Sequence, residues 1–407
     1  MLKIKIFVVI IALFQLNCGK KATEKEVEKE PIQVQEPDTL IEVGAARFDE
    51  YVPLLEGKNI ALLVNQTSRV GEEHLVDLLL EKGIAVKKIF APEHGFRGTA
   101  DAGEQLKDGK DEKTGLPVIS LYGKKKKPSA DDLAGIDWVI FDIQDVGARF
   151  YTYISSMHYL MEACAEFDLP LLILDRPNPN GHYVDGPILD PAYQSFVGMH
   201  PVPIVHGMTV GEYAKMINGE AWLGDEVQCD LSVVICANYT HQQFYHLPIK
   251  PSPNLPNMQS IYLYPSLCFF EGTKVSVGRG TNRQFQIYGH PSFDEAPFNF
   301  TPEPKPGARY PKLEGKKCNG YNLSGTSLKE LQGKAQLDLS YLLNAYEAFP
   351  DKEAFFNKNL FFDKLAGGTH LREAIRSGQS EETIRSSWQN DLAAFRQLRS
   401  KYLLYEE

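Results

Sequence analysis

The chain has 407 residues, which is too long for one ordinary hydrophobic core, so two domains are the first expectation. Hydrophobic residues make up 43% of the chain and charged residues 24%, which is typical of a globular protein and not of a disordered one. The formal net charge of −10 argues against a nucleic-acid-binding protein, which needs a basic surface.

The N-terminal residues have the layout of an export signal. Lys3 and Lys5 precede an apolar stretch at 6–14 that is too short to span a membrane as a helix. Cys18 follows this stretch, as in the bacterial lipoprotein signal, in which the cysteine is lipidated. We therefore expect residues 1–18 to be a signal peptide of the lipoprotein type. The protein would be exported to the periplasm or cell surface and anchored to the membrane through this lipid alone.

Residues 19–42 are predicted to be a charged, flexible tether, because lysine and glutamate alternate there with prolines and almost no apolar residues. The cysteines that follow show neither a C-x-x-C pattern nor the spacing of a metal site, so buried free thiols are expected. These cysteines are Cys164, Cys229, Cys236, Cys268 and Cys318.

Residues 43–220 alternate short apolar runs with helical patterns. A helix at 72–83 ends at Gly83, and the next begins at Ser129, which has Asp132 at capping-box spacing. Continuous apolar strands that alternate with helices predict a Rossmann-like α/β domain with a mostly parallel sheet covered on both faces. The strands are predicted at 59–66, 86–91, 116–123, 137–145 and 169–178.

Residues 221–407 are predicted to form a smaller α+β domain. A strand at 231–239 is followed by long stretches rich in aromatic residues, proline and glycine. The chain ends in a helix whose apolar face carries Trp388, Leu392, Phe395 and Leu398.

Polar clusters follow four of the predicted strands at their carboxyl ends. Ligands bind beyond this edge of an open parallel sheet, so these clusters together predict a site. The clusters read NQTSR, PEHGFRG, DIQDVGARFY and DRPNPNG. The predicted site residues are Asn65, Gln66, Glu93, His94, Arg97, Asp142, Gln144, Asp145, Arg149, Asp175, Arg176 and Asn178.

The chemistry of this set is best suited to a carbohydrate. The sequence lacks the glycine-rich dinucleotide and phosphate-binding motifs and the G-x-S-x-G motif of serine hydrolases. His94, Asp142 and Asp145 offer metal ligands, but their spacing matches no standard metal site. Carboxylates, guanidinium groups and amides remain, and these groups bind sugar hydroxyls and protonate a leaving oxygen.

Glu93 is the strongest candidate for a general acid. It follows Pro92 and precedes glycines that allow another group to approach closely. Apolar neighbours would desolvate its carboxyl group, which suits an acid catalyst. Ligand binding and a purely structural role are the alternatives.

Other acidic residues have structural alternatives. For Asp142 the alternative to binding a ligand is to cap a neighbouring helix, and for Asp175 with Arg176 it is a structural ion pair. Glu212 lies three residues after Thr209, and this capping-box spacing favours a structural role.

The second half adds polar residues to the candidate site. Asn254 lies between prolines, Glu271 begins a Gly-Thr turn, and Arg279 stands on a glycine loop suited to a ligand carboxylate or phosphate. A solvated arginine on an ordinary turn is the alternative for Arg279. The role of His206 is open.

Five long motifs follow one another along the chain: PEHGFRG, DIQDVGARFYTY, DRPNPNG, PVPIVHGMTVGEYA and PNMQSIYLYPSLCFFEGTKVSVGRGT. In this order they resemble the DUF1343, or NamZ-like, family of exo-β-N-acetylmuramidases over residues 45–405. The resemblance implies an exo-acting glycosidase that releases N-acetylmuramic acid from the non-reducing ends of peptide-free peptidoglycan fragments, without a cofactor. It also implies an active-site cleft between a Rossmann-like domain and a smaller α+β domain.

On the matching motifs, Glu93 would be the general acid, and Asp145 or Glu271 the second carboxylate. An arginine would bind the lactyl carboxylate that distinguishes muramic acid from glucosamine, and tyrosines would contact the sugar ring. The candidates for these two roles are Arg97, Arg149 and Arg279, and Tyr122, Tyr151 and Tyr264.

Two other functions compete with a glycosidase. A sugar-binding lipoprotein without activity would also have an anchor, a tether and a cleft. A metal-dependent esterase or deacetylase would act on the same wall sugars.

Overall fold

The computed structural model describes residues 40–96, 108–224, 227–294 and 296–407. Within it, Ile41–Glu407 form one compact unit. The strands are β1 (Asn59–Val64), β2 (Arg69–Val70), β3 (Glu73–His74), β4 (Ala85–Ala91), β5 (Gly109–Lys110), β6 (Pro117–Ser120), β7 (Trp138–Asp142), β8 (Leu171–Leu174), β9 (Leu231–Val234), β10 (Ile287–His290), β11 (Phe298–Phe300) and β12 (Cys318–Asn322). The helices are α1 (Phe48–Leu55), α2 (Leu75–Glu81), α3 (Ala130–Leu133), α4 (Tyr153–Glu166), α5 (Val210–Gly219), α6 (Met258–Leu267), α7 (Leu328–Lys334), α8 (Ser340–Ala348), α9 (Phe361–Ala366), α10 (His370–Arg376), α11 (Glu381–Ser387) and α12 (Gln389–Arg399).

Seven strands form the main sheet in the order β5-β6-β4-β1-β7-β8-β9. All neighbours pair in parallel except the short edge strand β5, which runs antiparallel to β6. Parallel strands need crossover connections, and most of the connections between these strands contain helices. The predicted mostly parallel α/β sheet is therefore confirmed.

Both faces of this sheet are buried, which explains the continuous apolar runs in its strands. Ile60, Leu62 and Val64 pack on one face with residues of α1 and α2. Ala61 and Leu63 face the opposite side, in a core that continues through α4 and α5. Successive side chains of β1 thus enter two different cores, as the two-residue period of a strand requires.

The C-terminal half contains a three-stranded antiparallel sheet, in the order β10-β12-β11, and seven helices from α6 to α12 among the described residues. The strand β9 pairs with β8 in the main sheet, although it lies beyond the boundary predicted at residue 220. The larger core also extends from the sheet into the C-terminal helices. The division at 220 and 221 stays a prediction.

Several local predictions are confirmed. Ser129 and Asp132 form a reciprocal capping box at α3, and Thr209 and Glu212 form another at α5. The five predicted thiols are free and buried. Within the described ranges, no helix combines the length and the apolar character that a membrane span requires.

Candidate active site

The carboxyl ends of the central strands lie side by side, as the strand-end rule predicted. Leu63 of β1 pairs with Phe90 of β4, and Val64 pairs with Asp142 of β7. The polar segments that follow these three strands therefore leave the sheet along one edge.

A cavity of about 70 Å³ adjoins this edge next to the end of β4. The cavity opens to solvent and has room for at least a substituent of a sugar. Its lining comes from both halves of the chain: Glu93, His94, Phe150, Tyr151, Thr152, Tyr153, Ser252, Asn254, Leu255, Tyr264, Arg279 and Phe285.

Glu93 is the only carboxylate among the described residues that line this cavity. The hydroxyl of Tyr122 donates to Oε1 at 2.8 Å, and the hydroxyl of Thr152 donates to Oε2 at 3.1 Å. His94 and Gly95 follow with φ angles of 68° and 77°, a left-handed bend that turns the chain back at the strand end. The two hydroxyls hold the carboxyl group at the cavity wall.

Tyrosines connect the segment after β7 to the segment before α6. The hydroxyl of Tyr151 donates to the carbonyl oxygen of Pro251 at 2.9 Å, and Gln66 Nε2 donates to the same oxygen at 3.0 Å. The rings of Tyr153 and Tyr264 pack edge-on against Tyr151, with centroids 4.9 and 5.8 Å away. Gln66 therefore supports the cavity from outside, whereas the tyrosines form its wall.

Arg279 is the cationic residue of the cavity, and a charged cluster positions it. Its Nε lies 3.3 Å from Glu271 Oε1, and its guanidinium lies over the Phe285 ring at 5.0 Å. Lys312 Nζ donates to the carbonyl oxygens of Phe270 and Thr273 and so holds the segment that carries Glu271.

The same cluster determines the charge of Glu271. Burial alone would raise the pKa of Glu271, but the charges of Arg279 and Lys312 outweigh burial and lower it. Glu271 is therefore an anionic partner of Arg279, and it does not line the cavity.

Asp145 is almost completely buried and does not line the cavity, but its charge raises the pKa of the cavity residues Tyr151 and Tyr153. Its Oδ2 accepts from the backbone N–H of Gly147 at 2.6 Å, while Oδ1 has no hydrogen-bond partner in the described part of the chain. Burial raises the pKa of Asp145 to about 7, despite the backbone hydrogen bonds that favour its charged form. A shift of this kind is typical of functional carboxyl groups.

Two of the predicted site acids are structural. Asp142 is fully buried and pairs with Arg176 through two hydrogen bonds, of 2.5 and 2.9 Å. The expected ion pair of Arg176 is therefore with Asp142 and not with Asp175. Asp175 accepts instead from the Thr209 hydroxyl at 2.7 Å and from Gly211 N–H at 2.9 Å, in the first turn of α5.

Arg149 does not line the cavity, contrary to the prediction. Its fully buried guanidinium donates to the carbonyl oxygens of Pro187, Val202 and Leu365, at 2.8, 2.6 and 3.0 Å. Burial lowers the pKa of Arg149 to about 9. The side chain joins two segments of the connection between β8 and α5 to the helix α9, with carbonyl groups in place of a carboxylate as its partners.

Four further predicted residues also lie outside the cavity lining. Asn65 accepts from the Thr67 backbone and hydroxyl, and Gln144 Nε2 donates to two carbonyl groups. Asn178 Nδ2 donates to the carbonyl oxygen of Met208 at 2.9 Å. Burial and nearby positive charges lower the pKa of His206 to about 3, so this imidazole is neutral. These side chains hold the loops that follow the strands.

Sequence analysis missed several lining residues. Thr152 and Tyr153 belong to the motif DIQDVGARFYTY and directly follow the predicted residue Tyr151, so the sequence could have indicated them. Ser252, whose Oγ lies 3.2 Å from His94 Nε2, comes from a segment 158 residues away. Phe150 and Phe285 resemble ordinary core residues in the sequence. Arg97 and Cys18 lie outside the described residues.

Two larger grooves, of about 570 and 630 Å³, lie between Pro187–Asp190 and the helices α10 to α12. Neither groove is lined by a predicted site residue. In the described ranges, no group of three His, Cys, Asp or Glu residues is arranged to hold a metal ion. The chemistry of the sequence motifs therefore gathers at the smaller cavity.

Known proteins resemble this chain over nearly all of the described region. Residues 60–259 match the family model described as exo-beta-N-acetylmuramidase NamZ, N-terminal, and residues 262–405 match the corresponding C-terminal model. The chain is 39% identical over 374 residues to the peptidoglycan beta-N-acetylmuramidase NamZ of Bacillus subtilis (strain 168), and the match covers 88% of this chain and 89% of that protein.

Two crystal structures of DUF1343 family proteins from Bacteroides fragilis NCTC 9343 have the same fold. The first is 50% identical with a TM-score of 0.85, and covers 91% of this chain and 100% of its own. The second is 30% identical with a TM-score of 0.74, and covers 90% and 99%.

Proposed function

The chain belongs to the NamZ family of exo-β-N-acetylmuramidases and is a glycosidase, and we propose that Glu93 is its general acid. The enzyme hydrolyses the β-glycosidic bond of N-acetylmuramic acid at the non-reducing end of peptide-free peptidoglycan fragments. The observation that carries this proposal is the position of Glu93, a carboxyl group held by two hydroxyls at the wall of a polar cavity.

In the reaction, Glu93 donates its proton to the oxygen of the leaving sugar while the bond from that oxygen to the anomeric carbon breaks. Water supplies the hydroxyl group of the released N-acetylmuramic acid. Asp145 is the proposed second carboxylate, since its Oδ1 has no partner among the described residues and burial raises its pKa to about 7. Glu271 pairs with Arg279 and is therefore not proposed as the second carboxylate.

Arg279 is the proposed partner of the lactyl carboxylate. Glu271 engages its Nε and not its two terminal nitrogens. Those two nitrogens match the two oxygens of a carboxylate in a bidentate pair. The aromatic ring of Phe285 holds the guanidinium plane in place.

The test is the release of para-nitrophenol from para-nitrophenyl N-acetylmuramide beside the matching N-acetylglucosaminide. The wild-type protein should hydrolyse the muramide preferentially, and Glu93→Gln should lower its turnover about 10²–10⁴-fold. Glu81→Gln, at the exposed end of α2, is the matched control and should keep full activity. Folded wild-type protein that hydrolyses neither substrate would refute the proposal.

We also propose that the protein is exported and lipidated at Cys18. The support is the order of a basic start, an apolar stretch and a cysteine in residues 1–18. Cells supplied with a labelled fatty acid should incorporate the label into the wild-type protein and not into Cys18→Ala. Labelling of both proteins would refute lipidation at this residue.

A further inference from the structure

Asn254 has an unsatisfied hydrogen-bond acceptor in the wall of the cavity. The residue is 2% exposed, and in the described part of the chain its Oδ1 has no hydrogen-bond partner. Nearly all buried polar side-chain atoms in proteins are paired, so an orphan acceptor beside a ligand cavity points to a donor on the ligand.

The orientation of this side chain is determined by its surroundings. Asn254 Nδ2 donates to the carbonyl oxygen of Gly307 at 2.7 Å, and its backbone N–H donates to Ser252 Oγ at 3.2 Å. Gly307 has a φ of 86°, and a Cβ there would lie 2.5 Å from Pro253. Glycine permits this backbone conformation. Because the carbonyl oxygen of Gly307 only accepts, the amide nitrogen of Asn254 faces it, and the amide oxygen is left without a donor among the described residues.

The cavity thus offers two different polar groups, a cation at Arg279 and a neutral acceptor at Asn254. The acceptor repels a carboxylate but accepts from an N–H group. N-acetylmuramic acid carries an acetamido group and a lactyl ether on adjacent ring carbons, so one edge of the sugar presents both complementary groups. Leu255, Phe150 and Phe285 add the apolar surface that a methyl group requires.

We infer that Asn254 selects for the acetamido substituent by accepting a hydrogen bond from its N–H, an inference that rests on the proposed function. Arg279 and Asn254 then recognise neighbouring substituents of the same sugar.

The test compares two 4-methylumbelliferyl glycosides, the N-acetylmuramide and its 2-acetoxy analogue, in which oxygen replaces the N–H. The two substrates have nearly the same shape and differ in the donor. Wild-type kcat/KM should favour the acetamide by about 10-fold or more, because the analogue leaves Asn254 Oδ1 unpaired. Asn254→Ala should reduce this preference to about twofold or less, by the same reasoning.

Asn254→Asp separates recognition from support of the loop. It loses the bond to Gly307 but keeps an acceptor, so it should retain the preference for the acetamide even if its rate falls. Asn257→Ala is the matched control: Asn257 is exposed, caps α6 and lies outside the cavity, so the preference should stay at the wild-type value. If Asn254→Ala does not fold, Asn254→Leu, of similar volume, replaces it.

An unchanged preference in Asn254→Ala or Asn254→Leu would overturn the inference. Equal hydrolysis of the two glycosides by the wild-type protein would overturn it too, and would leave the proposed function intact. Hydrolysis of neither glycoside would refute the proposed function itself.

Discussion

The carboxyl ends of β4 and β8 are similar in sequence, since each is followed by acidic and basic side chains. They differ in whether a cavity lies beside the acidic residue. Glu93, after β4, lies partly exposed on a cavity wall, and hydroxyl groups hold its two oxygens. Asp175, after β8, is completely buried. Polar residues at a strand end therefore indicate a site only where a cavity remains beside them.

The hydrogen bonds of Asp175 explain this difference. Oδ1 accepts from the backbone of Arg176 and Gly211, and Oδ2 accepts from the hydroxyls of Thr209 and Tyr405. Four donors saturate the carboxylate, so no acceptor capacity remains for a substrate.

The same region also holds the C-terminal segment. The hydroxyl of Tyr405, 230 residues beyond Asp175, donates to it at 2.6 Å and accepts from Cys236 N–H at 2.8 Å. Glu212 accepts from Leu404 N–H at 2.8 Å. We call this set, Asp175, Glu212 and Tyr405, the C-terminal lock.

The largest expected effect is the loss of stability when Asp175 of the C-terminal lock is replaced. Asp175→Ala should lower the free energy of unfolding by about 3–5 kcal/mol, because it leaves several buried donors without an acceptor. Chemical denaturation measures this loss, and kcat of the folded fraction should stay near wild type. A Glu93→Gln protein with the same loss of stability would contradict the contrast between the two strand ends.

The next effect concerns specificity at the cavity. Arg279→Met should lower kcat/KM for the N-acetylmuramide about 100-fold relative to the N-acetylglucosaminide, because it removes a charged, bidentate partner of the lactyl group. Steady-state kinetics on the two glycosides give this ratio. Arg283→Met, an exposed arginine on the neighbouring turn, is the control. An unchanged ratio in Arg279→Met would remove the assignment.

The hydrogen bonding of Asp145 is intermediate between that of Glu93 at the cavity and that of the saturated Asp175. One of its oxygens is paired, and the other has no partner among the described residues. Its pKa of about 7 in the folded protein exceeds the unfolded value of about 3.9, so folding favours the protonated form. Its contribution to stability is greatest below about pH 4 and is lost as the pH rises through 7. Asp145→Asn, which mimics the protonated form, should therefore stabilise the protein by about 2 kcal/mol at pH 8 and not at pH 4.

Denaturation at several pH values measures the effect of Asp145→Asn. If Asp145 is the second carboxylate, the same variant should lose hydrolytic activity while it gains stability. A variant that is stable and fully active would show that Asp145 has only a structural role, as Asp175 has.

The smallest expected effect is that of removing the Tyr405 hydroxyl from the C-terminal lock. Tyr405→Phe should cost about 1–2 kcal/mol of stability, because two hydrogen bonds disappear while the ring keeps its packing against Tyr239. Thermal unfolding measures the change. A loss of N-acetylmuramide hydrolysis without a loss of stability would show that the lock and the cavity are coupled.

Sequence analysis was reliable for features that depend on residues close together in the chain. The continuous apolar run predicted β1, and the spacing of Thr209 and Glu212 predicted a capping box. The buried pair of Asp142 and Arg176 was not predictable, because its partners are 34 residues apart and Asp175 is adjacent to Arg176. Arg149 was misjudged for the same reason, since its three carbonyl partners lie 38, 53 and 216 residues away in the sequence.

The sequence by itself determined the fold class, the edge of the sheet at which the candidate site was predicted, and Glu93 as the first candidate, because apolar runs and strand ends depend on neighbouring residues. Only the tertiary structure decided which polar side chains face a cavity and which are saturated. Asn254 and Asp175 differ in this way: the Oδ1 of Asn254, beside the cavity, has no partner among the described residues, whereas Asp175 has all its acceptors filled. Saturation depends on donors brought from up to 230 residues away, and only the folded chain brings them together.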